Sequence, residues 1–281
     1  MKVFITGIVG TLGSEITRQL LDKRKHQIFG YSRDEFKQQK FIYKDNVTLI
    51  LGDVRNRDRL LEATRGMDII FHFAALKHVD VLEKNPEECI ETNILGTENV
   101  LHAQRINKIP RVVLSSTDKA AYPINVYGLC KALSERLVLR NKDNIVVRYG
   151  NVAASRGSVI ESFVKTLREE RTIYLTDARM SRFLIRIEDA ARFVIESSED
   201  FYGGLKIPQM KAAKMLDVAD AVNQILGGKV YSIVTKGSRP GEKLSECLKT
   251  DYEDALVTSD TCEQFTSQEL IELLKPIVGA M

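Results

Sequence analysis

The chain has 281 residues, 44% of them hydrophobic, enough to bury a sizeable core in one large domain or a domain and a half. Its 41 Lys and Arg against 38 Asp and Glu leave a formal charge of +3, too small and dispersed for a nucleic-acid surface, so small charged ligands are the better match. The longest apolar stretch, Met67–Leu76, is about half of what a bilayer crossing needs and carries Asp68 and His72; with no signal peptide before the first strand, the sequence reads as cytoplasmic. Cys89, Cys130, Cys247 and Cys262 lie far apart without CxxC spacing and read as reduced thiols. The histidines at 26, 72, 78 and 102 show no metal spacing, so no metal is assigned.

In chain order, an apolar strand at Val3–Thr6 runs into "ITGIVGTLGSE", residues 5–15. Gly7, Gly10 and Gly13 stand between that strand and a helix whose Leu12, Ile16 and Leu20 share a face. Backbone around Val9, Gly10, Thr11 and Leu12 can there approach a pyrophosphate and aim free helix N–H groups at it, the signature of a dinucleotide site. A second strand, Gln27–Tyr31, ends in Ser32 and Arg33, which suit a ribose 2′-phosphate and favour NADP, while Asp34 keeps NAD open as the lesser choice. Strands at Val47–Leu51 and Ile69–Phe73 follow. Asp53 and Val54 after the first of these flank the adenine, and Ala74 and Ala75 after the second are small enough to let the cofactor pass. Two more strands, Val112–Ser115 and Ile145–Arg148, bracket a helix with Leu129, Leu133 and Leu137 on one face. Continuous apolar strands each followed by a helix indicate an α/β fold, a Rossmann-like doubly wound parallel sheet, over residues 1–150. Beyond 150 the rhythm weakens into a smaller substrate-binding domain, 151–281, with 183–199 expected to pack back onto the first.

The stretch "SSTDKAAYPINVYGLCK", residues 115–131, carries the chemistry. Tyr127 and Lys131 project from one helical face, where an ammonium beside a phenol favours the phenolate base. Thr117, ending the preceding strand, can hydrogen-bond the same substrate hydroxyl. Downstream of a glycine loop, this spacing is specific for short-chain dehydrogenase/reductase chemistry, and Tyr127 and Lys131 then also border the cofactor. A dehydrogenase or C4 epimerase needs no more, because its hydride leaves and returns. Asp118 and Lys119 add an acid and a base. Once C4 of a hexose is a ketone, one can remove the C5 proton and the other protonate the departing C6 hydroxyl, which makes a 4,6-dehydratase.

Together "FHFAALKHVDVLEKNPEECIETNILGTENVL", "SSTDKAAYPINVYGLCK", "VRYGNVAASRGSV", "TDARMSRF" and "RPGEKLSE" resemble the inverting UDP-N-acetylglucosamine 4,6-dehydratases, extended short-chain dehydrogenases that also epimerise C5 and start pseudaminic acid synthesis for surface glycans. The resemblance implies Asp118 as acid and Lys119 as base, with Thr117, Tyr127 and Lys131 the redox triad; the swapped roles stay open. It implies UDP-N-acetylglucosamine as substrate, tightly bound NADP, and a homo-oligomer. It places Asn151, Ser158 and Val159 against the nucleotide sugar, Arg182 and Arg239 at the diphosphate, Glu242 at the uridine ribose, Lys206 at the uracil and Lys77 near the active site. A UDP-sugar C4 epimerase and a non-catalytic NADP-binding sensor are the alternatives.

Overall fold

The structure, a computed structural model, describes residues 1–22, 26–39, 41, 46–153, 157–237, 241–253 and 255–281. In chain order its elements are β1 (Lys2–Thr6), α1 (Thr11–Asp22), β2 (Gln27–Ser32), α2 (Glu35–Gln39), β3 (Val47–Leu51), α3 (Arg57–Ala63), β4 (Ile69–His72), α4 (Val79–Leu82), α5 (Pro86–Cys89), α6 (Gly96–Asn107), β5 (Arg111–Thr117), α7 (Val126–Val138) and β6 (Ile145–Tyr149). They continue as β7 (Asn151–Val152), α8 (Val159–Glu169), β8 (Thr172–Leu175), β9 (Ser181–Ile185), α9 (Ile187–Glu199), β10 (Gly204–Lys206), β11 (Lys211–Lys214), α10 (Met215–Ile225), β12 (Ser232–Thr235), β13 (Cys247–Lys249), β14 (Val257–Thr258) and α11 (Ser267–Gly279).

Residues 1–148 and 188–207 form one compact unit, and 149–187 with 208–281 a second. In the first, a parallel seven-stranded sheet runs β10-β6-β5-β4-β1-β2-β3. The order reverses beside β1, so the ends of β1 and β4 open a crevice of the kind that binds ligands in doubly wound sheets. The chain returns to this unit at Glu188, later than the expected 183, because residues 181–185 belong to the three-stranded sheet β11-β9-β7 of the second unit. It stays through Ile207 because β10, a strand too short to announce itself in the sequence, pairs in parallel with β6. The second unit packs α8, α10 and α11 around Phe163, Leu167, Val222 and Leu274. Among the described residues no helix is long and apolar enough to cross a membrane, and no cluster of three or more His, Cys, Asp or Glu is placed to hold a metal.

Of the three leucines on one face of α7, Leu137 packs against the sheet core but the other two do not. Leu129 and Leu133 are 55% and 47% exposed, whereas Cys130, Lys131, Ser134 and Glu135 are buried. The helix turns its polar face inward, a violation of hydrophobic patterning that points to a functional face.

A second polar line threads the sheet core. Thr6 Oγ1 donates to His72 Nδ1 at 2.7 Å, His72 Nε2 reaches Thr97 Oγ1 at 3.1 Å, and Thr97 donates on to the Asn93 carbonyl at 2.6 Å. Thr6 Oγ1 also accepts from the backbone N–H groups of Phe73 and Ala74. This order of donors fixes His72 as the neutral Nε2–H tautomer. Burial, reinforced by the positive charge of Lys131, brings its pKa down to about 3. In the unfolded chain it titrates near its ordinary value of about 6.5. Between those values the unfolded state binds a proton that the folded state refuses, so stability is complete above 6.5 and is lost as pH falls towards 3. Urea unfolding is therefore expected to show His72→Gln losing less stability between pH 8 and pH 5 than the wild type, by about 2 kcal/mol. Equal losses in both proteins would remove His72 as the cause.

Candidate active site

The glycine loop leaves β1 and turns back into α1 within a few residues. Gly7 takes a φ of 71°, its N–H donates to Tyr31 O at 2.8 Å, and its carbonyl accepts from Gly10 N at 2.9 Å. A Cβ at Gly7 would stand 2.8 Å from Ala74 N, and one at Gly13 only 2.5 Å from Gly7 O. The loop is thus bare backbone pressed between the end of β4 and the first turn of α1, with Val9 buried and Gly10, Thr11 and Leu12 half-buried at the helix start. That is the cradle an anionic diphosphate needs.

The end of β2 is more committed than its sequence suggests. Ser32 is buried, and its hydroxyl accepts from Gln38 Nε2 at 2.9 Å. Asp34 accepts from Lys37 N at 2.9 Å and pairs with the Lys37 ammonium, so its carboxylate caps α2. Arg33 is half exposed, 3.6 Å from the Asp53 carboxylate, which also takes a forked pair of bonds from Arg55. Val54 is buried and its carbonyl accepts from Asn99. Ala74 is half-buried, and Ala75 and Lys77 are exposed on the segment that follows β4.

The Thr117–Lys119 group forms where β5 ends in a single 3-10 turn, Asp118–Ala120. Asp118 is fully buried. Its Oδ1 accepts from Thr117 Oγ1 and from Lys119 Nζ, each at 2.9 Å, while Oδ2 has no hydrogen-bond partner among the described residues. A buried carboxyl oxygen left over in this way is ready for a ligand. The Lys119 side chain is 18% exposed, so the pair presents one open side.

Asn125 caps α7 through its side chain and sets the helix that carries Tyr127 and Lys131. Lys131 Nζ donates to Ser115 O at 2.6 Å, and burial brings its pKa down to about 8. The expected drop of the Tyr127 phenol is not found in the protein by itself. Burial first, then the negative charge of Asp118, push it up, against a hydrogen bond with Thr117 that favours the phenolate.

Two groups near this site escaped the sequence reading. Glu135, four residues past Lys131, forms a buried ion pair with Arg148 at the end of β6. The signal was an arginine inside an otherwise apolar strand. Asn93 lies in a π-helical segment, Ile90–Leu95. Its Oδ1 accepts from Leu76 N at 2.8 Å and its Nδ2 donates to Leu76 O at 2.9 Å, holding the segment between Ala74 and Lys77 as a paired strand would. Its own carbonyl accepts from Ser134 of α7 at 2.8 Å. A lone Asn in a helical stretch carries no such message.

The remaining expected residues divide between the units. Lys206, on β10, pairs with Asp200 at 2.7 Å. In the second unit Asn151 opens β7 beside Leu184, Ser158 caps α8 by accepting from Glu161 N, and Val159 begins that helix. Arg182 is buried, and its guanidinium donates to the carbonyls of Ser181, Lys243 and Leu244, so in this state it holds the segment that contains the half-buried Glu242. Arg239 lies outside the described residues.

A family model described as polysaccharide biosynthesis protein matches residues 3–268. An inverting UDP-N-acetylglucosamine 4,6-dehydratase of Campylobacter jejuni is 40% identical over 261 residues, covering 88% of this chain and 77% of that protein. A UDP-glucose 4-epimerase of Rickettsia bellii is 39% identical over 269 residues, 90% of this chain and 79% of that one. The X-ray structure of Pen from Bacillus thuringiensis superposes with a TM-score of 0.92 at 31% identity, covering 100% of this chain and 98% of that one.

The Asn93 clamp has a direct readout. Asn93→Ala leaves the Leu76 amide without its acceptor, and hydrogen exchange there is expected to quicken by at least about tenfold, with about 2 kcal/mol of stability lost. Unchanged protection at Leu76 would mean the clamp does not hold that segment.

Proposed function

The chain belongs to the polysaccharide biosynthesis protein family, and from that footing we propose that it is a nicotinamide-dependent UDP-N-acetylglucosamine 4,6-dehydratase, inverting at C5. The relatives' names divide between dehydratase and epimerase. The observation that carries the choice is the buried Asp118 in contact with Lys119, with Oδ2 unpartnered among the described residues. An epimerase has no step for such a pair, whereas loss of water across C5 and C6 requires one.

The cradle of Gly7, Gly10 and Gly13 at the start of α1 fits a cofactor diphosphate, and the crevice beside β1 and β4 fits the rest of the molecule. When bound, the nicotinamide supplies storage for the hydride taken from C4 and later given to C6. The carboxylate of Asp34 is spent on capping α2, which disfavours the ribose-diol contact of an NAD site. The half-exposed Arg33 guanidinium suits a 2′-phosphate, so the reading is NADP.

Tyr127 as phenolate takes the C4 hydroxyl proton, Thr117 holds that hydroxyl, and the Lys131 ammonium supports the phenolate. The negative charge of Asp118 opposes ionisation of Tyr127. Both acids are therefore best served by one negative charge between them. A proton passing from Lys119 Nζ to Asp118 Oδ1 across their 2.9 Å contact leaves a neutral amine and a carboxylic acid. In water that neutral pair lies about 9 kcal/mol above the ion pair, and leaving water narrows such a gap in general because it penalises the charged forms. Lys119 then removes the C5 proton, and Asp118 protonates the C6 hydroxyl as it leaves as water.

Turnover of UDP-N-acetylglucosamine in heavy water is expected to place deuterium at C5 beside a new C6 methyl group. A product with protonated C5 and an intact C6 hydroxyl would overturn the dehydratase reading. Asp118→Asn and Lys119→Ala are expected to keep nicotinamide reduction but lose elimination by at least about 100-fold, the usual worth of a general acid or base. Arg33→Ala is expected to weaken NADP binding about tenfold while leaving NAD binding unchanged, as measured by titration calorimetry.

A further inference from the structure

Three residues spaced one helical turn apart on the inner face of α7 meet three consecutive residues at the end of β5. Tyr127 contacts Thr117, Lys131 Nζ reaches Ser115 O at 2.6 Å, and Glu135 Oε1 accepts from Ser116 Oγ at 2.5 Å. Glu135 is at the same time gripped by Arg148 from β6, Nη2 to Oε2 at 2.6 Å and Nε to Oε1 at 3.0 Å. Both charged side chains are almost inaccessible to solvent. Removing two charges from water costs about as much as their attraction returns, and an apolar pair of the same volume would hold the helix to the sheet as well. The charges therefore call for a role beyond cohesion.

We propose that Glu135 and Arg148 act as a positioning and charge-setting pair for Lys131, locking α7 in register against β5 and keeping Lys131 an ammonium when Tyr127 is to act as base. The inference rests on the reading of Tyr127 and Lys131 as the redox pair.

The electrostatics run in the same direction. Burial brings the Lys131 pKa down to about 8, and the Glu135 carboxylate is the largest influence pulling it back up. The other titratable groups around Lys131 do not replace it. Cys89 of α5 and Cys130 of α7 assist the ammonium only in so far as they are ionised. His72 of β4 is held neutral. Glu83, just after α4, is spent on Val126 N at the first turn of α7, and Asp118 and Lys119 are paired with each other. Arg148, bonded twice to Glu135, sets a guanidinium charge of opposite sign beside that carboxylate, so on this proposal the pair sets the level instead of merely raising it.

The two halves of the pair should therefore shift Lys131 in opposite directions. In the full-length, NADP-loaded protein, the pH dependence of nicotinamide reduction in a single turnover with UDP-N-acetylglucosamine gives one measure. The Lys131 ammonium resonance in 15N-lysine NMR, assigned with Lys131→Met, gives another that does not need turnover. Glu135→Gln is expected to lower the Lys131 midpoint by about one pH unit, Arg148→Met to raise it, and Arg148→Lys to leave it in place. A merely structural pair would lower activity or stability in both single variants without moving the midpoint. Shifts in the same direction, or none, overturn the proposal.

If the single variants do not fold, the neutral double variant Glu135→Gln with Arg148→Met decides. A midpoint below the wild type supports the proposal, since Glu135 lies nearer to Lys131 along the helix, and an unmoved one overturns it. If wild-type protein never reduces its nicotinamide with any UDP-hexose, the functional reading fails, while the NMR measurement still decides the charge-setting role.

Discussion

The packing of α7 against the last residues of β5 is the constraint on which the rest of the site depends. Strand residues advance about 3.3 Å each, while side chains one turn apart on a helix are about 5–6 Å apart. Contacts at Ser115, Ser116 and Thr117 therefore cannot simply run parallel to Tyr127, Lys131 and Glu135. They cross: Glu135 meets Ser116, Lys131 meets Ser115, and Tyr127 meets Thr117. A crossed set of polar contacts admits one helix position and one rotation. The inward turn of polar residues leaves Leu129 and Leu133 at the surface, which is the cost of placing chemistry where a core would ordinarily be.

Charge is rationed tightly in this pocket. Asp118, Glu135, Lys131 and Arg148 are all buried, and Lys119 is nearly so. Each anion has a cation in contact, Asp118 with Lys119 and Glu135 with Arg148. Lys131 is the cation bonded to a neutral carbonyl instead, that of Ser115. Its protonation consequently rests on burial balanced against the charges around it, which lets it answer a change of charge on Tyr127. In a low-dielectric pocket such coupling is strong, because little solvent intervenes to screen it.

Much of this was legible in the sequence, and what was not has a physical reason. The six long strands were visible because each is a largely apolar run, most of them buried on both faces, with the edge strand β3 the exception. The glycine loop, Thr117–Lys119 and the Tyr127/Lys131 spacing stood out because each is a set of residue types at fixed separations. The three-residue β10 was not, since a strand that short has no periodicity to read. The orientation of α7 could not be read from its leucines, because leucine spacing normally marks a core face and here Leu129 and Leu133 are exposed. Asn93 and Arg148 were missed because their partners, Leu76 and Glu135, are 17 and 13 residues away, and no local rule joins them. Asp34 and Arg182 illustrate a related point: each residue type suits a ligand, and the fold also gives each a partner of its own.

On the proposed reading, the order Thr117, Asp118, Lys119 would let one strand end serve both redox chemistry and elimination. The three residues are consecutive, and the 3-10 turn that follows β5 curls the second and third back over the first. If Thr117 addresses the C4 hydroxyl, the acid and the base that C6 and C5 call for are its two immediate neighbours in the chain. An enzyme that only inverts C4 must let its ketone turn over between hydride removal and return, so it gains from a loose grip beyond C4. A dehydratase gains from the opposite, since the C5 proton, the C6 hydroxyl and the returning hydride must all be met in one pose. Asp118, fully buried and anchored by Thr117 and Lys119, would suit that second requirement.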